Sequence, residues 1–264
     1  MFSHLKYYYR QRYLLWVFVL HDLKSRFSGS VMGIYWSVVN PLLMILIYTI
    51  VFSEILKIEF HRGGGNVNFA LYMVCGLLPW LALQESLQRG TLSIVGNANL
   101  IKRPHFPASL LPIHIVISSL ITEAIGLLLL LVLIVAMGYD LGLKCLALPV
   151  IVLPQLLFTL GLAWALGGLQ VLFKDVSPLI NSFLLLWMFM TPIFYPSTAF
   201  PDSLHFLLVV NPMVHIVDTY RLLIMMNEWP LPGSLLIAYV SAVVTFLAGY
   251  AIHTWLQPRF ADLV

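Results

Sequence analysis

Long apolar segments determine what this chain can fold into. Residues 109–137 and 146–173 each run for well over the 20 apolar residues that cross a bilayer, and Glu123 is the only Asp, Glu, Lys or Arg residue in either. Over the whole chain, 61% of residues are hydrophobic and 9% are charged, whereas a soluble domain has roughly 25% charged residues. The sequence therefore predicts an all-α integral membrane protein.

About six transmembrane helices are expected from these segments. Each segment is bounded by charged or turn-forming residues and is long enough to cross the hydrocarbon core. The predicted spans cover residues 31–56, 69–88, 109–137, 146–173, 178–195 and 235–256. We expect one transmembrane domain, 1–264, in which residues 31–195 hold the first five spans and 233–264 hold the sixth span and the tail.

Residues 1–30 are expected to form an amphipathic helix that lies in the membrane interface. Apolar side chains such as Trp16 and Leu20 recur at helical spacing on one side, and the charged side chains fall elsewhere on the helix. Mixed charge beside a face rich in Tyr and Trp is typical of interfacial helices. The candidate residues of this interface helix are Arg12, Trp16, Asp22, Lys24 and Arg26.

A short basic island, GNANLIKRPHFP at residues 96–107, lies between the second and third spans. Pro104 and Pro107 should end any helix abruptly, because proline restricts the residue before it and cannot continue a helix. Lys102 and Arg103 either mark the cytosolic side of the membrane or belong to a stiff loop that docks into a soluble partner. The residues alone leave both interpretations open.

Residues 196–232, between the fifth and sixth spans, are expected to form short re-entrant or interfacial helices. Two apolar patches, 206–210 and 222–226, are too short to cross a bilayer. Asn211 and Pro212 separate the two patches, and proline stops a helix there.

Arg221 is a lone cation next to the second of these apolar patches. It either pairs with Asp218, which lies three residues earlier on the same helical face, or extends its side chain to the headgroups. The sequence does not separate these two interpretations.

Basic residues predict the orientation, since cytoplasmic loops carry an excess of Lys and Arg. With the N-terminus inside, ten basic residues lie on the cytosolic side: Lys6, Arg10, Arg12, Lys24, Arg26, Arg89, Lys102, Arg103, Lys174 and Arg259. Four lie outside: Lys57, Arg62, Lys144 and Arg221. We therefore expect both termini in the cytosol and residues 196–232 on the outer side.

The sequence contains no pattern for nucleotide binding, metal binding or catalysis. It has no Gly-Lys-Ser/Thr phosphate loop, no HExxH pair and no CxxC pair. Glu85 and Glu123 lie in spans, where a carboxylate is costly and should face protein or water. We interpret Glu123 as a structural contact between helices rather than as part of a proton relay.

Most aromatic side chains fall near predicted span ends, as in an interfacial belt. A minority could instead line a passage in which flat rings suit a carbohydrate. The candidates for this role are Tyr35, Trp36, Trp187 and Tyr195.

Four local patterns, taken in order, resemble the membrane subunit of polysaccharide ABC exporters of the type-2 ABC transporter family. They are HDLKSRFSGSVMGIYWSVVNPLL (21–43), NANLIKRPHFPASLLPI (97–113), LFKDVSPLI (172–180), and TPIFYP with the later NPM and YRLLI (191–224). The resemblance covers nearly the whole chain. That family moves O-antigen, capsule or teichoic acid polymers across the bacterial cytoplasmic membrane.

The resemblance implies roles for particular residues. The basic island is similar to the coupling helix that docks into a separate ATP-hydrolysing subunit, with Phe106 as its apolar anchor and these residues at the contact: Asn97, Asn99, Leu100, Ile101, Lys102, Arg103, Pro104, His105, Phe106 and Pro107. The outer gate would use Asn211, Pro212, Asp218, Tyr220 and Arg221. Two copies of each subunit would form the exporter, and the partner, not this chain, would bind ATP.

Two other functions remain open from the residues alone. One is an ABC permease for lipids or drugs. The other is a membrane-embedded transferase acting on lipid-linked sugars, which would require convergent acid and base groups.

The predicted orientation can be tested by thiol labelling. Single cysteines at Lys102 and at Lys174, in a chain whose Cys75 and Cys145 are replaced by serine, should react with a membrane-impermeant reagent only after the cells are permeabilised. A cysteine at Lys144 is the matched outer control and should react in intact cells. Labelling of position 102 or 174 from outside would contradict the orientation.

Overall fold

The computed structural model describes residues 11–26, 35–55, 59–62, 65–103, 106–195, 197 and 200–264. Within these residues, the chain is a bundle of α-helices with one short β-hairpin. Predictions that concern residues 1–10, 27–34, Lys57, Pro104, His105 and Pro196 lie outside the described residues.

Eleven α-helices and two strands follow one another along the described part of the chain. Helix α1 is Arg12–Ser25, α2 is Trp36–Thr49 and continues as a π-helix Ile50–Ile55, β1 is Glu59–Arg62, β2 is Gly65–Asn68, α3 is Phe69–Leu92, α4 is Ala98–Ile101, α5 is Leu110–Ala136, α6 is Leu148–Leu172, α7 is Val176–Met190, α8 is His205–Val210, α9 is Pro212–Ile224, α10 is Pro232–Leu256 and α11 is Phe260–Leu263. Short 3₁₀ helices precede α4, α6, α8 and α11.

Four helical segments are long and apolar enough to cross a membrane. They are Phe69–Leu92, Leu110–Ala136, Leu143–Leu172 and Pro232–Leu263, and they coincide with the predicted second, third, fourth and sixth spans. The predicted first and fifth spans correspond to α2 and α7, where the apolar helices Val39–Tyr48 and Val176–Met190 are shorter. The helical, membrane-embedded class is therefore as predicted, with four spans supported by length and composition.

Helix α3 lies at the centre of the bundle. Its residues from Phe69 to Trp80 are all buried, and none of them is charged. It packs against α5, α6, α7 and α9. A helix that is apolar all round is buried on every side, so the remaining helices are arranged around α3.

Helices α6 and α10 form the most extensive helix pair, and small residues allow their backbones to approach closely. An added Cβ at Gly161 would lie 2.3 Å from the carbonyl oxygen of Thr245. An added Cβ at Gly249 would lie 1.9 Å from the carbonyl oxygen of Gly161. Ala238 and Ala242 are buried on the same face of α10. Small residues serve this purpose generally in membrane helix pairs.

The segment between the first and second spans differs from the expectation. We interpreted residues 57–68, with their glycine run, as a flexible loop. Instead, β1 and β2 pair antiparallel, with Glu59 opposite Asn68 and Arg62 opposite Gly65. Backbone pairing across a short glycine-containing connection satisfies the amide groups of this segment.

Replacing Gly249 with alanine should separate α6 from α10, because the new methyl group has no room beside Gly161. We expect a loss of about 1–3 kcal/mol of stability, the usual cost of overpacking. Gly233→Ala is the matched control in the same helix, since nothing lies within 4 Å of an added Cβ there. Unfolding in detergent would measure both, and equal stability of the two variants would contradict the close approach.

Candidate functional site

The basic island forms a compact helical loop at one end of the bundle. A 3₁₀ turn, Val95–Asn97, leads directly into α4. The Asn97 side chain donates a 2.8 Å hydrogen bond to the carbonyl oxygen of Ser93 at the end of α3. Lys102 and Arg103, which follow α4, are exposed. The loop therefore presents two cations to solvent on a fixed support.

An apolar cluster packs between this loop and the C-terminal helices. Its buried members are Ile94, Ile101, Ala108, Leu111, Leu256 and Phe260. Ile101 is the inward residue of α4, whereas Asn99 is exposed and Leu100 is partly buried. The cluster joins the loop to the C-terminal end of α10 and to α11, so the loop is part of the packed bundle.

Phe106 packs against helix α1. We interpreted it as an apolar anchor for a partner subunit. In the structure its ring meets Phe18 of α1 edge to face, with 6.2 Å between centroids and an interplanar angle of 86°. Phe106 is only partly exposed, because it fills the space between the loop and α1. Pro107 is buried next to it.

Helix α1 turns a carboxylate toward the bundle. Val19 and Asp22 are its buried residues, while Trp16 and Leu20 are exposed and face away from the protein. Arg12 and Lys24 are also exposed. The exposed side of α1 thus carries both apolar and charged residues, and its buried side carries the carboxylate of Asp22. That α1 lies in the membrane interface stays a prediction.

Asp22 is the centre of an ionic network between α1, α3 and α5. It accepts hydrogen bonds from Arg26 Nε at 3.1 Å, from Ser118 Oγ at 2.7 Å, and from Arg89. Burial alone would raise the pKa of Asp22, but the hydrogen bonds from Arg89 and Ser118 and the two arginine charges outweigh it and lower the pKa. Asp22 is therefore ionised at neutral pH, and its pairing would be lost only as the pH falls through this lowered pKa.

Glu85 completes the network from the side of α3. Its Oε1 accepts from Arg26 Nη1 at 2.7 Å and from Arg89 Nη1 at 2.9 Å. Two arginines and two carboxylates thus neutralise one another. The predicted buried polar residue Glu85 is partly exposed and is paired.

At the opposite end of the bundle, Asn211 joins the start of α9 to the end of α7. Its Oδ1 accepts from the backbone N–H of Met213 at 3.0 Å and caps α9. The same oxygen accepts from Trp187 Nε1 at 2.9 Å, and its Nδ2 donates to Thr191 Oγ1 at 3.0 Å. Pro212 occupies the first turn of α9, where its missing N–H is not needed.

Arg221 neither extends to solvent nor depends mainly on Asp218. It is 2% exposed and lies 3.8 Å from the centroid of the Tyr72 ring. Its guanidinium donates to the carbonyl oxygens of Pro192 at 2.7 Å and Ile193 at 2.9 Å, in the turn after α7. Asp218 adds a longer contact of 3.5 Å. The cation is therefore satisfied mainly by backbone carbonyls.

Glu123 forms a buried contact between helices. Its Oε2 accepts a 2.7 Å hydrogen bond from Gln155 Nε2 of α6. Gln155 Oε1 in turn accepts from the Tyr220 hydroxyl of α9 at 2.7 Å. The other oxygen, Glu123 Oε1, is buried and has no hydrogen-bond partner among the described residues.

The four candidate channel-lining aromatics have different surroundings. Tyr35 is exposed and Trp36 is partly buried. Trp187 packs edge to face against Trp80, at 5.7 Å between centroids, so it belongs to the interior of the subunit. Tyr195 stacks on Phe200. The described residues do not bring these four rings together.

A cavity of about 290 Å³ lies between α2, α3 and α5. Its wall combines apolar side chains with seven polar ones: Asn40, Gln84, Glu85, Gln88, Ser119, Thr122 and Glu123. A second space, of about 510 Å³, shares Asn40 and Thr122 with it and reaches Arg26 and Arg89. The two spaces adjoin at Asn40, Pro41, Glu85 and Thr122.

These features define a polytopic helical membrane protein with an exposed basic loop at one end and the two short helices α8 and α9 at the other. The profile of the ABC-2 type transporter family matches residues 13–225. The chain belongs to this family.

Individual relatives match over almost the full length. The chain is 31% identical over 258 residues to the O-antigen export system permease protein RfbA of Myxococcus xanthus, covering 97% of each chain. It is 28% identical over 256 residues to the protein of that name from Klebsiella pneumoniae, covering 95% of each. It is 23% identical over 235 residues to the polysialic acid transport protein KpsM of Escherichia coli, covering 89% of this chain and 90% of that one.

The sequence analysis missed three residues that hold these sites together. Arg89 entered it only as a positive charge, and neither Gln155 nor Ser118 was considered. A signal existed for Gln155, because an amide in the middle of an apolar span is costly unless it has a partner. No local pattern indicates that Arg89 meets Asp22, since 67 residues separate them.

A double-mutant cycle on Asp22 and Arg89 should detect their direct coupling. We expect Asp22→Asn and Arg89→Gln each to destabilise the attachment of α1, and the double variant to cost less than the sum by about 1–3 kcal/mol. Protease sensitivity of α1 and unfolding in detergent would measure this. Lys24→Gln, on the exposed side of α1, is the control. Additive effects would contradict the pairing.

Proposed function

We propose that this protein is the transmembrane permease subunit of an ABC transporter that exports a lipid-linked polysaccharide of the O-antigen, capsule or teichoic acid type. The observation that carries the proposal is the match over 97% of both chains to a permease named for O-antigen export. The family profile over residues 13–225 supports it. The membrane crossed would be the bacterial cytoplasmic membrane.

A separate subunit would bind and hydrolyse ATP and would dock on the basic loop at residues 96–107. The exposed position of Lys102 and Arg103 supports this, because two cations on a rigid support favour a complementary acidic surface. Val95 and Asn99 are exposed beside them and widen the contact surface. The apolar cluster around Ile101 and Phe260 would hold the loop in place during docking.

We propose six spans with both termini in the cytosol. The first span would be α2 with its extension, a helix of 14 residues followed without a break by a π-helix of 6 residues. The fifth would be α7, of 15 residues, together with the turn that Arg221 holds. The one domain, 1–264, would then place α8 and α9 on the outer side.

The pair α8 and α9 would form the outer gate. Their lengths, 6 and 13 residues, are too short to cross a bilayer. The exposed apolar residues Phe206 and Val210 on α8 suit contact with lipid, while α9 is buried in the bundle. Two copies of this subunit, with the polymer path between them, would complete the transporter together with two ATPase subunits.

The function can be tested by deletion and complementation. Cells that lack this chain should accumulate polymer inside the cytoplasmic membrane, and re-expression should restore surface polymer. Inverted vesicles that contain this chain and its ATPase should take up lipid-linked polymer in an ATP-dependent way. Normal surface polymer in the deleted strain would contradict the proposal.

Reversing the charge of Lys102 and Arg103 together, as Lys102→Glu with Arg103→Glu, should weaken ATPase docking at least tenfold, about 1.4 kcal/mol. Co-purification and polymer export should fall together, while the subunit stays in the membrane. Lys174→Glu, an exposed cation in another loop that we also place inside, is the control and should bind normally. Undiminished association of the double variant would refute the docking assignment.

A further inference from the structure

Both ends of the basic loop lie against one stretch of α6, residues 163–168. On the entry side, an added Cβ at Gly90 would lie 3.1 Å from the Cβ of Ala163. An added Cβ at Gly167 would lie 3.0 Å from the carbonyl oxygen of Gly90. The last turn of α3 is therefore packed closely against α6, and the basic loop follows shortly after α3 ends at Leu92.

On the exit side, Trp164 of α6 binds the residue from which α5 begins. Its indole Nε1–H donates a 3.0 Å hydrogen bond to the carbonyl oxygen of Ser109, the N-cap of α5. Trp164 is 3% exposed and Ser109 is 5% exposed, and a hydrogen bond in such a low-dielectric interior is costly to leave unmade. Because Ser109 follows Pro107 closely in the chain, the loop is fixed at its exit as well.

Trp164 has a second connection to the basic loop, through aromatic rings. The centroid of its indole lies 6.3 Å from that of the His253 imidazole of α10. The His253 ring meets Phe260 of α11 edge to face at 5.3 Å, with an interplanar angle of 68°. Phe260 belongs to the apolar cluster that includes Ile101, the inward residue of α4. Trp164 thus contacts the exit of the loop directly and is connected to the helix of the loop through α10 and α11.

We propose that Trp164 is a positioning residue, which sets the place of the basic loop relative to α6 and α10 and transmits a displacement of the loop to these two helices. This inference rests on the proposed docking of an ATPase subunit at the loop. Trp164 is buried and acts through Ser109 and Phe260 rather than by touching the ATPase. The close approach of Gly249 to Gly161 keeps α6 and α10 together. Movement of the loop therefore reaches two spans besides α3 and α5, which flank it.

A tryptophan that only fills the core would affect the stability of the subunit and nothing else. The two roles differ in one measurable quantity, the amount of polymer moved per ATP hydrolysed. Loss of stability removes transport and coupled hydrolysis together, so it leaves this ratio unchanged. A loosened loop still receives the ATPase through Lys102 and Arg103, but hydrolysis then moves less polymer.

The hydrogen bond to Ser109 can be removed without changing the shape of the side chain. Site-specific incorporation of benzothienylalanine at position 164 puts sulfur in place of the indole N–H. In inverted vesicles with the complete exporter, we expect the polymer taken up per ATP to fall about threefold or more, the factor that one lost hydrogen bond gives. A spin label on a cysteine at Asn99, in the full chain without other cysteines in nanodiscs, should become more mobile. Phe260→Leu, which interrupts the aromatic connection, should change both quantities in the same direction.

Two controls isolate the N–H of Trp164. Fluorotryptophan at position 164 retains this donor and should behave like the wild type. Benzothienylalanine at position 255 should also leave both quantities unchanged, because Trp255 is 64% exposed on α10.

An unchanged ratio of polymer to ATP in the benzothienyl variant at position 164 would overturn the assignment, whatever the stability of that variant. If wild-type vesicles transport polymer and only this ratio fails to change, the proposed function stands and the role of Trp164 alone fails. If wild-type vesicles take up no polymer, the proposed function fails. The Asn99 label then decides the positioning role by itself, and an unchanged spectrum would overturn that role too.

Discussion

Burial of the Arg221 guanidinium is the interaction on which the end of the bundle around α9 and the turn after α7 depends. The turn that follows α7 has backbone carbonyls outside any helix or strand, and lipid cannot supply a hydrogen-bond donor to them. Arg221 donates to the carbonyls of Pro192 and Ile193 in the turn that follows α7. The cation and the unpaired carbonyls therefore satisfy each other. Gly76 leaves room for this, since an added Cβ there would lie 2.7 Å from Arg221 Nη2.

The opposite end of the bundle, around α1 and the basic loop, also depends on buried charged groups. Helix α1 is attached through Asp22, while its exposed Trp16 is left for lipid. The basic loop then rests on two supports, the Phe106 contact with Phe18 and the cluster around Phe260. A force on the loop would reach α1 through the first support and α10 through the second. The basic loop is thus in contact with both α1 and the C-terminal helices.

Apolar length allowed the four long spans to be predicted, because crossing a bilayer imposes a length that local sequence must meet. The helix break at Pro212 and the cations of the basic loop could also be predicted, because both follow from the local sequence. The contacts between residues far apart in the sequence could not be predicted in this way. The i, i+3 rule identified Asp218 as a neighbour of Arg221, but the closer partners come from the turn after α7. The contact of Phe106 with Phe18 could not be predicted either, because a sequence shows that a ring is apolar but not which surface it covers.

Helix α9 takes part in two sets of hydrogen bonds, those of Tyr220 and those of Arg221. Its neighbouring residues Tyr220 and Arg221 contact different helices, Tyr220 through Gln155 of α6 and Arg221 through the turn after α7. Gln155 in turn holds Glu123, which lines the inner cavity. Hydrogen bonds buried in a low-dielectric interior are costly to leave unmade. A shift of Glu123 would therefore require Gln155 and Tyr220 to rearrange with it. Movement of Tyr220 would in turn strain the hydrogen bonds that the neighbouring Arg221 makes to the turn after α7.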